Sequence, residues 1–180
     1  MENSGTANIN IILTGPESTG KTLLAEQLAT IYNGRCIPEY AREYLLELRR
    51  PYTYEDVLKI AEKQLEEMET LRNCAGGMNF FDTYLIITKV WLEVVYNNTP
   101  DWIDRKISGT RDALYLLCRP DIPWKPDPLR ENGGEMRIKL FLRYEEELKQ
   151  KGLYFGYVEG AGEDRILCAK QIIDRYIRNR

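Results

Sequence analysis

The sequence predicts a three-layer α/β fold around a five-stranded, mostly parallel sheet. Two observations predict it. Short apolar runs alternate with amphipathic stretches along the whole chain, the order expected when parallel strands are joined by crossover helices. The first apolar run also leads through a glycine-rich turn straight into a helical pattern, the local order of a phosphate-binding strand–turn–helix unit. The 180 residues, 43% of them hydrophobic, suit one domain spanning 1–180.

Each element follows from its pattern. Asn8 to Leu13 (NINIIL) reads as a buried strand, and Lys21 to Tyr32 carries apolar residues at helical spacing. Arg35 to Pro38 is a short strand, and Glu39 to Arg50 a helix stopped by Pro51. Tyr54 to Arg72 is a long helix rich in Glu, Lys and Leu, and its charged face reads as solvated surface. Cys74 to Gly77 is a turn before the strand Met78 to Phe81. Tyr84 to Tyr96 and Asp101 to Ser108 read as helices; Trp91 and Trp102 read as packing residues. Ala113 to Cys118 is the fourth strand. Pro120 to Gly134 holds four of the eight prolines, so it is a loop. Glu135 to Lys151, Leu153 to Val158 and Glu163 to Arg178 complete the chain as helix, strand and helix.

Composition excludes several function classes. The chain has no histidine, which rules out Ser-His-Asp and Cys-His catalysis and any His-ligated metal. Its net charge is −3, without the basic excess of a nucleic-acid binder. The four cysteines (36, 74, 118 and 168) lack zinc or redox spacing and read as free thiols of a cytoplasmic protein. No stretch reaches the roughly 20 apolar residues of a membrane span. The stretch Met1 to Asn8 is short and polar, unlike a signal peptide.

Gly15-Pro16-Glu17-Ser18-Thr19-Gly20-Lys21-Thr22 matches G-x-x-x-x-G-K-[ST], the phosphate-binding loop (Walker A). Two glycines let backbone N–H groups face phosphate, and the following helix adds the positive end of its dipole. This segment is assigned to ATP, with Lys21 reaching the β- and γ-phosphates and the Thr22 hydroxyl on Mg²⁺. Such a site needs a carboxylate. Asp82, just past the third strand, lies at the crevice end of a parallel sheet. It suits Mg²⁺ or a substrate hydroxyl, the reading that the phosphate-binding loop favours, and could cap the next helix as well. Glu39, Tyr40 and Arg42 follow the second strand at the same end and suit a small polar ring and sugar; Tyr84 is placed with them. The loop at about 119–134 reads as a lid. It brings Arg119, Lys125 and Arg130, with Arg137 just beyond, and a Trp124 suited to stacking on a ligand ring. Arg119 is assigned to the nucleotide.

Taken together, GPESTGKT (15–22), EYAREYL (39–45), FFDTYLIIT (80–88), LLCRPDIPWKPDPLREN (116–132) and EDRILCAKQIID (163–174) resemble the nicotinamide riboside kinase domain of the NadR-like P-loop family. The resemblance covers nearly the whole chain. It implies a nucleoside/nucleotide-kinase-like P-loop core, Mg-ATP, and transfer of the γ-phosphoryl to a riboside 5′-hydroxyl, giving nicotinamide mononucleotide in NAD salvage. It implies Asp82 as the acid at the reacting centre, Arg130 as the lid arginine, and Glu39, Tyr40 and Arg42 facing the riboside. Either Asp82 or Glu39 would take the hydroxyl proton. The chain departs from the family in having Asp127-Pro128 where Asp-Gly is usual, and Thr83-Tyr84 where Thr-Asp is frequent. Some members carry a fused nucleotidyltransferase with a histidine motif; a chain without histidine is not expected to transfer adenylyl groups. The alternatives are a P-loop kinase for another nucleoside or nucleotide, and a regulatory nucleotide-switch ATPase. Against the switch stands the proline-rich lid, which suits enclosing a small acceptor away from water.

Overall fold

A computed structural model of the chain describes residues 8–72, 74 and 76–180. The first seven residues, read above as part of a polar N-terminus, and Ala75 of the predicted turn lie outside the described residues. The elements run β1 (Ile9–Thr14), α1 (Lys21–Ile31), β2 (Arg35–Ile37), α2 (Tyr40–Glu47), α3 (Tyr54–Arg72), β3 (Met78–Asp82), α4 (Leu85–Tyr96), α5 (Asp101–Ser108), β4 (Leu114–Cys118), α6 (Gly134–Gln150), β5 (Phe155–Val158) and α7 (Glu163–Arg178).

The described residues build one five-stranded sheet in the order β2-β3-β1-β4-β5, with all four pairings parallel. The expected sheet was mostly parallel; this one is parallel throughout. Each strand must therefore be reached by a crossover, and the helices supply it on both faces. Along β1 the side chains alternate. Ile11 and Leu13 pack with α1 and α7, whereas Ile12 packs with α3, α4 and α6. Burial on both faces explains why the central strands β1, β3 and β4 read as largely apolar runs. β1 lies between β3 and β4, with Leu13 opposite both Asp82 and Leu116. The chain order reverses here, and such a switch point opens a crevice beyond the strand C-termini.

Several boundaries differ from the sequence expectation by a residue or more, and three of them for identifiable reasons. α2 stops at Glu47, with Leu48 extended at ψ 106°, because the chain must turn before Pro51. Arg50 then donates from Nη1 to Asp56 Oδ2 at 2.6 Å and from Nη2 to Asp56 Oδ1 at 2.9 Å. β5 begins at Phe155 rather than Leu153. α6 ends in a Schellman motif with Gly152 at φ 60°, in which Leu153 N donates to Leu148 O and Gly152 N to Lys149 O. α4 begins at Leu85, one residue late, because Thr83 and Tyr84 form the joint described below. Inside the helical layer, Lys89 of α4 is buried and donates to Glu93 at 2.5 Å and Glu147 of α6 at 2.6 Å. No described helix is long and apolar enough to cross a membrane, and all four cysteines carry free thiols.

Candidate active site

The loop between β1 and α1 has the shape its motif requires. Gly15 sits at φ 137°, and a Cβ there would lie 2.6 Å from the Cys118 carbonyl oxygen. No side chain is tolerated where the loop leaves β1 against the end of β4. Gly20, at φ 73°, occupies the N-cap of α1. The buried Thr19 hydroxyl donates to Pro16 O at 2.9 Å and closes the loop from within. Lys21 Nζ donates to Gly15 O at 3.0 Å and Pro16 O at 2.9 Å, which holds the ammonium over the cradle.

At the mouth of the cradle, Thr22 Oγ1 donates to Asp82 Oδ2 at 2.5 Å. Asp82 is 2% exposed, and its Oδ1 is buried with no hydrogen-bond partner among the described residues. Burial pushes the Asp82 carboxyl above its ordinary value, opposed by the Lys21 charge and the Thr22 hydroxyl. Asp82 does not cap α4: the N-cap is Tyr84, with no side-chain cap bond among the described residues. Between them Thr83 is held at φ 74°, a left-handed conformation that β-branched residues avoid. Strain at this joint accompanies the presentation of Asp82 at the crevice.

Glu39 occupies the N-cap of α2, at the same end of the sheet. Burial pushes its carboxyl up as well. The neighbouring Lys21 charge opposes that shift and the Asp82 charge reinforces it, so the three groups share one electrostatic field. The Tyr40 ring lies 5.9 Å from that of Tyr44, whose hydroxyl donates to Asp56 Oδ1 at 2.7 Å. Arg42 reaches across the crevice and donates from Nη2 to Asp127 Oδ2 in the lid at 2.6 Å. Tyr84 departs from its expected place beside the acceptor. It is 2% exposed and packs in the core near Phe81, with Arg72 and Glu69 at the far end of α3 as the charges that act on its hydroxyl. The turn at Thr83 sends its ring inward, a reversal that the local pattern does not signal.

The loop at 119–133 lies over the phosphate-binding loop and is tied to it by several polar contacts. The Glu17 carboxylate accepts from the backbone N–H groups of Glu131 at 3.3 Å and Asn132 at 3.0 Å, and from Asn132 Nδ2 at 3.1 Å. Glu17 therefore faces the lid rather than the cradle expected for a nucleotide contact, and a carboxylate would repel phosphate there. Ser18 Oγ accepts from Lys125 N at 2.9 Å. Arg137, buried at the start of α6, donates to the carbonyls of Glu17 (3.1 Å), Ser18 (2.7 Å) and Ile122 (2.9 Å). Its place was hidden in the sequence, because its partners lie more than a hundred residues upstream or inside an irregular loop. Arg130 Nη1 donates to Lys125 O at 2.7 Å, within its own loop. The Arg119 guanidinium lies 4.6 Å from the centroid of the Tyr157 ring, and its Nε is 3.3 Å from Glu159 Oε2. Trp124 packs its ring against Gly133, and its buried Nε1 has no partner among the described residues. Tyr52, not singled out in the sequence, donates to Glu131 Oε2 at 3.3 Å and packs edge-on against Trp91.

These residues fit a nucleoside triphosphate and a divalent cation. Thr22 and Asp82 offer two oxygens at the mouth of the cradle, and Asp82 Oδ1 is an orphaned buried acceptor. No cluster of three or more Cys, Asp or Glu suited to a metal occurs among the described residues.

Comparison with known proteins places the chain in a family. The AAA domain family matches residues 10–165. The trifunctional NAD biosynthesis/regulator protein NadR of Salmonella typhimurium is 27% identical over 159 residues, covering 86% of this chain and 39% of that protein. Its Escherichia coli counterpart is 27% identical over 154 residues, covering 83% and 38%. The chain thus spans about two fifths of the length of these relatives. Among solved structures, NadR in complex with NR superposes with a TM-score of 0.77 at 21% identity, over 94% of this chain and 50% of that one. A deoxyadenosine kinase from M. mycoides superposes with a TM-score of 0.62 at 14% identity, over 93% and 100%. The fold is thus that of P-loop nucleoside kinases, and the match over residues 10–165 shows that the chain belongs to the AAA domain family, as a NadR-like P-loop domain.

Proposed function

We propose that residues 1–180 form an ATP-dependent kinase domain that phosphorylates the 5′-hydroxyl of a small riboside, nicotinamide riboside first among them, in the cytoplasm. One observation carries the reading. The charge of the cradle lysine Lys21 acts on two carboxylates raised by burial, Asp82 and Glu39, and a loop rich in cations is bonded to the phosphate-binding loop beside them. A nucleotide switch needs one carboxylate near its cation; a second, beyond the neighbouring strand β2, suits an acceptor hydroxyl. The NR bound to the NadR structure supports a riboside acceptor.

In this reading Gly15 to Thr22 cradle the donor phosphates with their backbone N–H groups and the Lys21 ammonium. Thr22 and Asp82 hold Mg²⁺, which when bound offsets the negative charge of the phosphates. The 5′-oxygen bonds to the γ-phosphorus as the bond from that phosphorus to the ADP oxygen breaks, and the hydroxyl proton passes to a carboxylate. Glu39 suits the proton better than Asp82, whose Oδ2 already accepts from Thr22. Burial raises both carboxyls, which makes either a more effective base. Arg130 would have to leave the Lys125 carbonyl to reach the transferring phosphoryl, and Arg119 would flank the nucleotide. Tyr40, Arg42 and Trp124 would line the acceptor side; Tyr84 has no part. ATP consumption with Mg²⁺, with and without nicotinamide riboside, tests the reading when ADP and product mass are followed together. Riboside-dependent ADP release with a product heavier by one phosphate supports it, and Lys21→Ala should abolish that release. ADP release that ignores the riboside refutes the acceptor.

A second reading is a kinase for another nucleoside. The fold shared with a deoxyadenosine kinase favours it, and a nucleoside panel in the same assay separates the two.

A further inference from the structure

Two charged side chains join the acceptor side of the crevice to the lid, and neither needs a ligand to do so. Arg42 stands one turn into α2, three residues past Glu39, and its Nη2 donates to Asp127 Oδ2 at 2.6 Å. Asp127 has further duties. Its Oδ1 accepts from Leu129 N at 3.0 Å and its carbonyl accepts from Arg130 N at 2.9 Å. Those bonds shape the tight turn that carries Arg130. The turn is further stiffened by Pro128, where φ is fixed. Arg42 in turn raises no obstacle at Glu39; its charge lowers the Glu39 carboxyl against the effect of burial. A continuous path therefore runs from Glu39 through Arg42 and Asp127 to Arg130.

The Arg42 side chain is 42% exposed and the Asp127 side chain 16%. A pair at that exposure adds little to global stability, so its effect is on position. The two residues lie 85 apart in sequence and on different sides of the crevice, and the lid's remaining polar ties run mostly to the phosphate-binding loop. The pair thus ties α2 directly to the turn that carries Arg130. We propose that Asp127 is a positioning residue that couples the two halves of the site: through Arg42 it sets the lid turn by the place of α2, so that the turn bearing Arg130 closes in register with an acceptor seated against α2. The coupling to an acceptor rests on the kinase reading above; the mechanical link between α2 and the lid does not.

The test is a double-mutant cycle with Arg42→Gln and Asp127→Asn. Asparagine keeps an acceptor for Leu129 N and puts an amide donor where Oδ2 accepts from Arg42, which breaks the pair. Amide hydrogen exchange is read first, on the protein without acceptor. Arg42→Gln should speed exchange in the 125–132 segment several-fold, Asp127→Asn should speed it in 40–47, and β1 should stay protected, which reports an intact fold. Unchanged exchange at both distant segments overturns the link. Kinetics are read second. Each single variant should lower acceptor-dependent turnover about tenfold and raise acceptor-independent ATP hydrolysis, with ATP affinity within about twofold, and the double variant should be no worse than either single one. Multiplicative losses in the double variant overturn the coupling. If the wild type phosphorylates neither nicotinamide riboside nor a nucleoside, the kinase reading fails by itself, and hydrogen exchange still decides the link.

Discussion

Neutralising Asp82 should make the protein more stable and its catalysis worse. The side chain is 2% exposed, one oxygen accepts from Thr22 at 2.5 Å, and the other has no partner among the described residues. Burial holds its carboxyl above the unfolded value. The native state therefore binds that proton more tightly than the unfolded chain, and stability falls as pH rises from the unfolded pKa through the folded one. The cost therefore grows as pH rises toward neutrality. Asp82→Asn keeps an acceptor for Thr22 and removes the charge. A partnerless charged oxygen costs about 1–3 kcal/mol, and the amide N–H left in its place returns part of that. A net gain of about 1 kcal/mol corresponds to about 2–4 °C in melting temperature for a chain of this size. Thermal unfolding without nucleotide, followed by circular dichroism, should show that rise at about pH 7.5 and a smaller one at about pH 4, because the native carboxyl takes up its proton as pH falls. Turnover should fall by at least about a hundredfold. A variant that melts lower at neutral pH, or whose advantage is the same at both pH values, would refute the burial argument. Turnover at the wild-type level would refute the placement of Asp82 at the reacting centre.

Three further outcomes follow from the same geometry. Gly15→Ala should lower stability by more than about 2 kcal/mol and abolish ATP binding measured by calorimetry, because its Cβ would meet the Cys118 carbonyl at 2.6 Å at a φ of 137°. Glu17→Gln should keep ATP affinity within about threefold, since the carboxylate serves the lid; limited proteolysis in the 125–132 segment should quicken, and a large loss of affinity would return Glu17 to the nucleotide. Glu39→Gln should cost at least about a hundredfold in riboside-dependent turnover. In the wild type that turnover should fall as pH drops through a Glu39 pKa lying above the ordinary carboxylate range, and an acid limb unchanged in the variant would assign it elsewhere.

Much of this fold can be read along the chain. The bounds of α3, α5 and α7 coincide with their apolar periodicity, and the glycine pattern locates the cradle because only glycine suits φ 137° against a neighbouring carbonyl. Asp82 is legible for a related reason: it is an acid at the end of an apolar strand. Tyr84 is not legible, since its inward turn depends on a left-handed Thr83 that propensity disfavours. The lid contacts are hidden for another reason. Glu17 meets Asn132 across 115 residues and Arg137 meets Ser18 across 119, and no local pattern encodes pairings at such separations. Sequence supplies a list of cations in the lid. Only the packed chain separates Arg137, bound to backbone, from Arg130, held by its own loop.

Arg137 reads the crest of the phosphate-binding loop through carbonyl oxygens rather than side chains. Main-chain carbonyls are supplied by every residue type. The crest residue Glu17 is therefore open to replacement over evolutionary time, at the cost of its own lid contacts, without the α6 end of the lid losing its hold, whereas Ser18 is limited by its own left-handed backbone at φ 57°. Position 137 has no such latitude. A lysine there offers one ammonium where three carbonyls now meet a rigid planar fork, so this grip is robust to drift at its partners and brittle at its source.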